Sequence, residues 1–488
     1  VFIFNKKATM LLPKIYPVTC NTNHVSNGST FVAIEGFQSD GSTFITEALR
    51  NGASRIVITA QQHTPDVAQQ CIQYGASLLI VENTRIALAE LAAESLDFPA
   101  KKLSIIGITG TKGKSTTTML IAHLLEAAGK KVALLNTIYN SILSDREQSS
   151  LTTPGGDYLQ MFFAACVNRG VTHVIMEVSA HALSLHRTHG IIFSAVGFTN
   201  LAPEHLDFYT TMESYFAAKA SIFTQTDEHS LIVINADNEW APQAVASASN
   251  ACKTTGTKLQ TFGTKKNSSR QHAHVNIMAA STNGISLQID SAPVMACPQL
   301  FGNFNCYNIA MAACITKHLG IDDLAIAQGL KTFSGVPGRL QRHVLRNGAL
   351  AFVDYAHNPS SMHEVLKTLR PFTSHLIVVF GCGGDRDTTK RPVMGSLAAE
   401  YADHIIVTSD NPRTEDPASI IEQIRAGIPV EKQNVTTIMQ DRRKAIAHAA
   451  QIAPTGSIIA LLGKGHENYY LAGTHKSHLD DLEEIQLF

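Results

Sequence analysis

The stretch LSIIGITGTKGKSTTTMLIAHLLEAAG, residues 103–129, constrains the fold of this chain more than any other. LSIIGIT is continuously apolar, as a parallel strand buried on both faces must be. STTTMLIAHLLEAA reads as a helix that Gly129 ends. Between them lies Gly110-Thr111-Lys112-Gly113-Lys114-Ser115-Thr116. A glycine-rich turn at such a junction lets backbone N–H groups converge on phosphate oxygens. The helix N-terminus adds a favourable dipole, Lys114 a point charge, and Ser115 a hydroxyl for Mg²⁺. The strict GxxxxGK[ST] spacing is not met, because Ile108 takes the place of its first glycine, with Gly107 and Gly110 on either side. The strand–loop–helix context still favours a nucleotide site over an ordinary turn.

Around this element the chain reads as three α/β blocks, as its 488 residues lead one to expect. Residues 1–98 hold short strand-like runs, TFVAI and RIVIT, without a phosphate loop; FPAKK at 98–102 reads as a linker. Residues 99–335 repeat the strand signal at KVALLNT and THVIMEV, with helical stretches between, which argues for a parallel sheet covered by helices. Residues 336–488 follow the Gly/Pro-rich SGVPGRL and carry the strands ALAFVDYA, HLIVVFG, DHIIVTS and SIIALLG of another doubly wound domain. HENYYLAGTHKSH is polar enough to read as loop.

Charge narrows the classes of partner. Lys and Arg number 39 against 40 Asp and Glu, so no electrostatic drive towards nucleic acid or an anionic membrane is expected, although a local basic cleft remains compatible. No apolar run reaches membrane-spanning or signal length, and the eight cysteines show no CxxC pair, so reduced thiols in a cytoplasmic protein are the expectation.

Chemistry-bearing residues gather at strand ends, where open parallel sheets bind ligands. Glu177 ends THVIM, either as a Mg²⁺ ligand or as a helix-capping carboxylate. His205, in FTNLAPEHLDFY, reads equally as a site residue or a loop histidine. Lys219, in SYFAAKASIF, reads equally as a site residue or an exposed helix lysine. In the third block Asp354 and His357 (DYAHNPSS), the Gly381–Arg391 run GCGGDRDTTKR, DNPRTEDP from Asp410, and GKGHE from Gly463 each follow a strand. The glycines and basic groups of GCGGDRDTTKR are suited to a phosphate or carboxylate.

Taken in order, TGTKGKST, LTTPGG, EVSAHAL, FTNLAPEHLD, YFAAKASIF, FGNFNCYN, PGRLQR, DYAHNPSS, GCGGDRD, DNPR and GKGHE resemble the Mur ligase family of peptidoglycan synthesis over nearly the whole chain. The resemblance implies a three-domain architecture with a central P-loop ATP-binding domain and a Rossmann-like C-terminal domain. It implies a monomeric enzyme that uses ATP and Mg²⁺ to activate a carboxylate as an acyl phosphate. By that likeness Lys114, Glu177, His205 and Lys219 are catalytic. Ser115, Glu177, His205 and Lys219 hold magnesium, Lys219 as N6-carboxylysine. Asn305, Asn308, Arg339, Asp354 and His357 join Gly110–Thr116 at the nucleotide. Thr22, Thr152, Thr153, Ser179 and Arg187 would hold UDP-N-acetylmuramoyl-L-alanyl-D-glutamate. Arg386, Asp410, Asn411, Arg413, Gly463 and Glu467 would hold the incoming amino acid.

DNPR is the family feature that points to meso-diaminopimelate over L-lysine. Arginines suit its distal carboxylate and Glu467 its ammonium, whereas lysine would leave the arginine charge poorly compensated. The chain departs from the family pattern at Asn21-Thr22-Asn23, where Asp-Ser-Arg is usual, and at Ala180, Leu185 and Glu204. The missing arginine predicts a weaker grip on the UDP end. A lysine-adding ligase, a folylpolyglutamate-type ligase and a nonenzymatic ATP-binding module are the alternatives.

Overall fold

The computed structural model describes residues 11–36, 39–205, 208–265 and 271–488. The chain divides into two compact units. The first comprises Val1–Asn276, Gln288–Val294 and Tyr307–Leu330, and the second Ile277–Leu287, Met295–Cys306 and Lys331–Phe488.

Two sheets build the first unit. The smaller one orders the strands Val18–Thr19, Thr30–Val32, Arg55–Thr59 and Ser77–Val81 side by side, all parallel. Alternation sends Phe31, Ile56 and Ile58 to one face against Ile45 and Leu49, and Val32 and Val57 to the other against Leu88 and Ala92. In the larger sheet, Val132–Leu135, His173–Glu177, Ser104–Thr109, Ala195–Phe198, Leu231–Asn235 and Lys258–Gly263 lie side by side and parallel. An antiparallel meander, Tyr139–Ile142 and Asp145–Gln148, closes the Val132 edge. The central strand Ser104–Thr109 is buried over nearly its whole length, which explains its unbroken apolar run. Thr19 Oγ1 donates to Asp157 Oδ2 at 2.9 Å, pinning the small sheet to the helix Gly156–Asn168. Within FPAKK, Pro99–Lys102 coils into a 3₁₀ turn.

The second unit is built on a six-stranded sheet ordered Gln341–Val344, Leu350–Asp354, Ile458–Leu462, Leu376–Phe380, His404–Val407 and Thr436–Ile438. Only the first strand is antiparallel. Four of these strands are those expected from sequence, and the C-terminal ends of Leu350–Asp354, Ile458–Leu462, Leu376–Phe380 and His404–Val407 are therefore consecutive along one sheet edge. The segment read as loop near the C-terminus is instead an antiparallel ribbon of Tyr469–Ala472 and His475–His478. None of its residues is fully buried, so it lacks the apolar–polar alternation that marks a strand in sequence.

A buried ion pair helps fasten the C-terminal segment to this sheet. Arg442 donates through Nε to Asp481 Oδ1 at 2.7 Å and through Nη2 to Oδ2 at 2.5 Å, and Nη2 also reaches Leu462 O at 3.0 Å. Both side chains are fully buried, so removing one partner strands the other charge out of water. Asp481→Asn is expected to destabilise the second unit by about 3–5 kcal/mol. Urea unfolding of the full chain measures this, and an unchanged midpoint would show the pair to be idle.

Candidate active site

The phosphate loop turns on two glycines. Gly110 has φ +135°, and a Cβ there would sit 2.0 Å from Thr199 Oγ1; Gly113 has φ +87°, and its Cβ would sit 2.4 Å from Asn308 Oδ1. Neither position accepts a side chain. Asn200 grips the loop backbone from the end of the strand Ala195–Phe198: its Oδ1 accepts from Lys112 N at 2.9 Å and its Nδ2 donates to Lys112 O at 3.0 Å. The helix Lys114–Ala127 begins directly on this turn, so its first N–H groups belong to the loop.

Two ammonium groups converge on one carbonyl. Lys114 Nζ donates to Gly110 O and to Thr111 O, each at 2.9 Å, and Lys219 Nζ also donates to Gly110 O at 2.9 Å. Lys219 is 2% exposed and lies 4.5 Å from the centre of the Tyr215 ring, one helical turn earlier. The reading as an exposed helix lysine is therefore excluded. Burial, reinforced by the Lys114 charge and opposed by Glu204, holds the Lys219 amine well below the usual lysine range.

Beside the lysines, Glu177 is the last residue of its strand and is 1% exposed. Ser115 Oγ donates to its Oε1 at 2.7 Å, Thr137 N to Oε1 at 2.9 Å and Thr137 Oγ1 to Oε2 at 3.2 Å. Glu177 caps no helix; Ser179 does that, accepting from Ala182 N at 3.1 Å. Thr137 Oγ1 also lies 3.1 Å from Thr152 Oγ1. The Thr153 hydroxyl is buried and bonds within the chain, donating to Glu177 O at 2.9 Å and accepting from Ser179 N at 3.0 Å. Arg187 Nη1 in turn donates to Thr153 O at 2.6 Å. His205 adopts φ +57°, and its ring packs edge-on against His181 with centroids 4.8 Å apart. Among the described residues, no three His, Cys, Asp or Glu side chains form a ready metal cage.

Thr22 stands apart from these groups, in a 3₁₀ turn that Asn21 caps. Arg85 supplies positive charge in this region: burial first, then the Arg85 charge, lowers the Arg187 guanidinium from its usual value.

In the second unit the expected residues meet at the sheet edge. Asp354 accepts from Leu340 N at 2.7 Å and Ala356 N at 2.9 Å; burial pushes its carboxyl up while Arg339 opposes. Arg339 lies over the Tyr355 ring, and His357 Nδ1 is 2.7 Å from Tyr355 O. Asn305 Nδ2 donates to Phe301 O at 2.6 Å. Asn411 joins the next two loops: its Nδ2 donates to Glu467 Oε2 at 2.7 Å, and its Oδ1 accepts from Lys464 Nζ at 3.2 Å. Burial, then the Asp410 charge, raises the Glu467 carboxyl, with Lys464 opposing. Gly463 has φ +112°, which strains any residue with a Cβ, and that Cβ would lie 2.6 Å from Asp410 Oδ2. Arg413 Nη1 donates to Gly384 O at 2.7 Å, while Arg386 is exposed. One basic group of GCGGDRDTTKR is not available to an anion: Arg391 is wholly buried and paired to Glu415.

Thr22 aside, the expected residues thus fall into two groups, one in each unit. Sequence reasoning missed Thr137, Asn200, Tyr215, Lys464 and the Arg391–Glu415 pair. Thr137 and Asn200 stand just past strands, where a polar residue is itself a signal, and Tyr215 lies four residues before Lys219 on one helix face.

Comparison with known proteins agrees with this architecture. Three family models match in order: the Mur ligase catalytic domain over 14–95, the Mur ligase middle domain over 108–316 and the Mur ligase glutamate ligase domain over 338–465. The UDP-N-acetylmuramoyl-L-alanyl-D-glutamate–2,6-diaminopimelate ligase of Syntrophomonas wolfei is 37% identical, covering 96% of this chain and 93% of its own. The enzyme of the same name from Gloeobacter violaceus is 39% identical, covering 96% and 92%. A solved structure of such a ligase is 30% identical with a TM-score of 0.70, covering 97% of this chain and 94% of that one. The MurF ligase of Thermotoga maritima in complex with ADP, 19% identical over 93% of this chain and 95% of that one, shares the fold with a TM-score of 0.58. The chain belongs to the Mur ligase family.

Proposed function

We propose that this chain is an ATP-dependent ligase that joins meso-2,6-diaminopimelate to the D-glutamate γ-carboxylate of UDP-N-acetylmuramoyl-L-alanyl-D-glutamate, in peptidoglycan synthesis. The observation that carries this reading is full-length similarity, at 37% and 39% identity, to ligases that bear this activity in their names. The two polar clusters support it chemically.

In the reaction, a γ-carboxylate oxygen attacks the terminal phosphorus of ATP, the bond to the bridging oxygen breaks, and ADP leaves. The amine then attacks the acyl carbon, and phosphate leaves with the bonding pair of the acyl C–O bond. Lys114 would exchange its two loop carbonyls for phosphate oxygens and, with the loop N–H groups, stabilise charge on the moving phosphoryl group. Thr152, Ser179 and Arg187 would orient the peptide carboxylate, with Thr137 setting the Thr152 hydroxyl. Ser115 and Glu177 offer the oxygen donors that a hard cation takes, so they would hold Mg²⁺, joined by His205 and Lys219. Bound there, the ion would neutralise charge on the phosphate oxygens. Arg413 and Arg386 would receive the distal carboxylate of diaminopimelate, and Glu467 and Asp410 its ammonium.

For Lys219 a carbamate is the proposed form. An amine held below the usual lysine range is neutral, hence nucleophilic towards CO₂, at a lower pH than an ordinary lysine. The product is anionic, which suits a metal ligand beside Lys114.

Side-by-side assays with UDP-muramoyl-dipeptide, ATP, Mg²⁺ and either diaminopimelate or lysine test the reaction. Diaminopimelate-dependent ADP release with a tripeptide product is expected; activity with lysine alone would reassign the amine, and no turnover would leave only a binding module. Arg413→Ala should lose most of the discrimination against lysine, about 1–3 kcal/mol for a charged hydrogen bond, and unchanged discrimination rejects that role. With ¹³C-bicarbonate, a carbamate carbon resonance should appear in the intact protein and vanish in Lys219→Ala. Its absence from the unaltered protein would overturn the modification.

A further inference from the structure

The loops that carry Arg386 and Arg413 are joined by a side chain the reaction does not use. Arg391, on the helix Lys390–Tyr401, has no solvent exposure. Its Nη1 donates to Glu415 Oε2 at 2.8 Å and to Gln423 Oε1 at 2.8 Å; its Nη2 donates to Glu415 Oε1 at 2.9 Å and to Gly383 O at 3.3 Å. One guanidinium therefore holds the backbone of the first loop and, through a bidentate carboxylate, the second.

Glu415 extends the clamp. Its Oε1 also accepts from Asp385 N at 2.5 Å, directly before Arg386. Asp385 returns across the gap: Oδ1 accepts from Thr414 Oγ1 at 2.6 Å and Oδ2 from Thr414 N at 3.3 Å. Gly384 N donates to Asn411 O at 2.9 Å, and Arg413 Nη1 donates to Gly384 O at 2.7 Å. The two loops are thus laced from residue 383 to residue 385 on one side and from residue 411 to residue 415 on the other.

Two backbone facts show what the lacing maintains. Asp385 has φ +54° and Arg413 φ +53°, left-handed conformations that are uncommon for residues with a Cβ and costlier for Arg413 than for an aspartate. The first sets the direction of the chain entering Arg386, and the second sets the Arg413 side chain itself. A buried ion pair is, moreover, a poor device for stability alone: an apolar pair of similar volume often does as well or better. The Arg391 Nε, buried and without an acceptor, adds to that cost.

We propose that Arg391 and Glu415 form a positioning clamp that sets the two arginines of the amino-acid pocket, and so sets selectivity for an amine substrate carrying a distal carboxylate. The proposal rests on the reading of DNPR as part of that pocket. The clamp touches no substrate; it acts through Asp385, Gly384 and the 411–415 backbone.

The test compares the full-length protein with Glu415→Gln, Arg391→Lys and the double variant, using thermal unfolding to confirm that each is folded. Glu415→Gln is the informative case, since its side chain is partly exposed and the change is isosteric. It should raise KM for diaminopimelate about 10–100-fold, as small displacements of a binding group do. Discrimination against lysine should fall with it, while KM for ATP and kcat at saturating amine change far less. In the double variant the loss should be less than the product of the single losses, because the two residues act as one unit. A folded Glu415→Gln with unchanged amine KM and discrimination overturns the clamp. So does a parallel rise in KM for ATP, which would mark general loosening. If the unaltered protein turns over with lysine and not diaminopimelate, the amine reading itself fails, and the clamp's selectivity role with it.

Discussion

The meeting of half-buried Lys114 and fully buried Lys219 at the Gly110 carbonyl is the constraint on which the first unit's chemistry depends. Like charges drawn to one acceptor repel each other, and burial strengthens the repulsion by lowering the local dielectric. Burial first, and then the Lys114 charge, depress the Lys219 amine. Such an arrangement is relieved by bringing in negative charge or by removing positive charge. A nucleotide's phosphates would do the first, and the proposed conversion of the Lys219 amine to a carbamate would do the second. The loop that creates the arrangement exists only because Gly110 and Gly113 have no side chain to collide with Thr199 and Asn308.

How much of this was legible in sequence follows from how local each feature is. The strand Ser104–Thr109 and the helix after it declare themselves through unbroken apolar continuity and a glycine turn, all within residues 103–129. Glu177 was readable as a strand-end carboxylate because strand ends are counted along the chain. Its actual partners, Ser115 and Thr137, are 62 and 40 residues away, and no periodicity reports a contact of that range. His205 and Lys219 stayed ambiguous for the same reason: what separates a site lysine from a surface one is burial, here supplied by Tyr215 and the phosphate loop. The polar ribbon at Tyr469–His478 was missed because strands without a buried face carry no alternating pattern.

The second unit shows the same division with a different balance of charge. Its sheet edge was foreseen from four strand ends, and the structure makes those four strands consecutive neighbours. What sequence could not supply is which charges are spoken for. Arg391 and Arg413 look alike in a string of basic residues, yet one is consumed by Glu415 while the other donates to a loop carbonyl. The family resemblance gave the correct architecture, while the Arg391–Glu415 lacing belongs to the folded structure alone.

A formal net charge of −1 is then no obstacle to a polyanionic substrate. The decisive quantity is the sign of charge left uncompensated at each strand-end cluster, and the two clusters differ. At the phosphate loop two lysines meet carbonyls, and the nearby carboxylate, Glu177, is already hydrogen-bonded by a hydroxyl and by Thr137. Neutral donors leave the Glu177 charge in place, so this cluster would receive an anion through Lys114 and the loop N–H groups. At the second unit's edge, Asp410, Glu467, Lys464 and Arg413 mix both signs around Asn411, as a pocket for a zwitterion with a second charged end requires. Net charge averages these away, and the chemistry is carried by their separation.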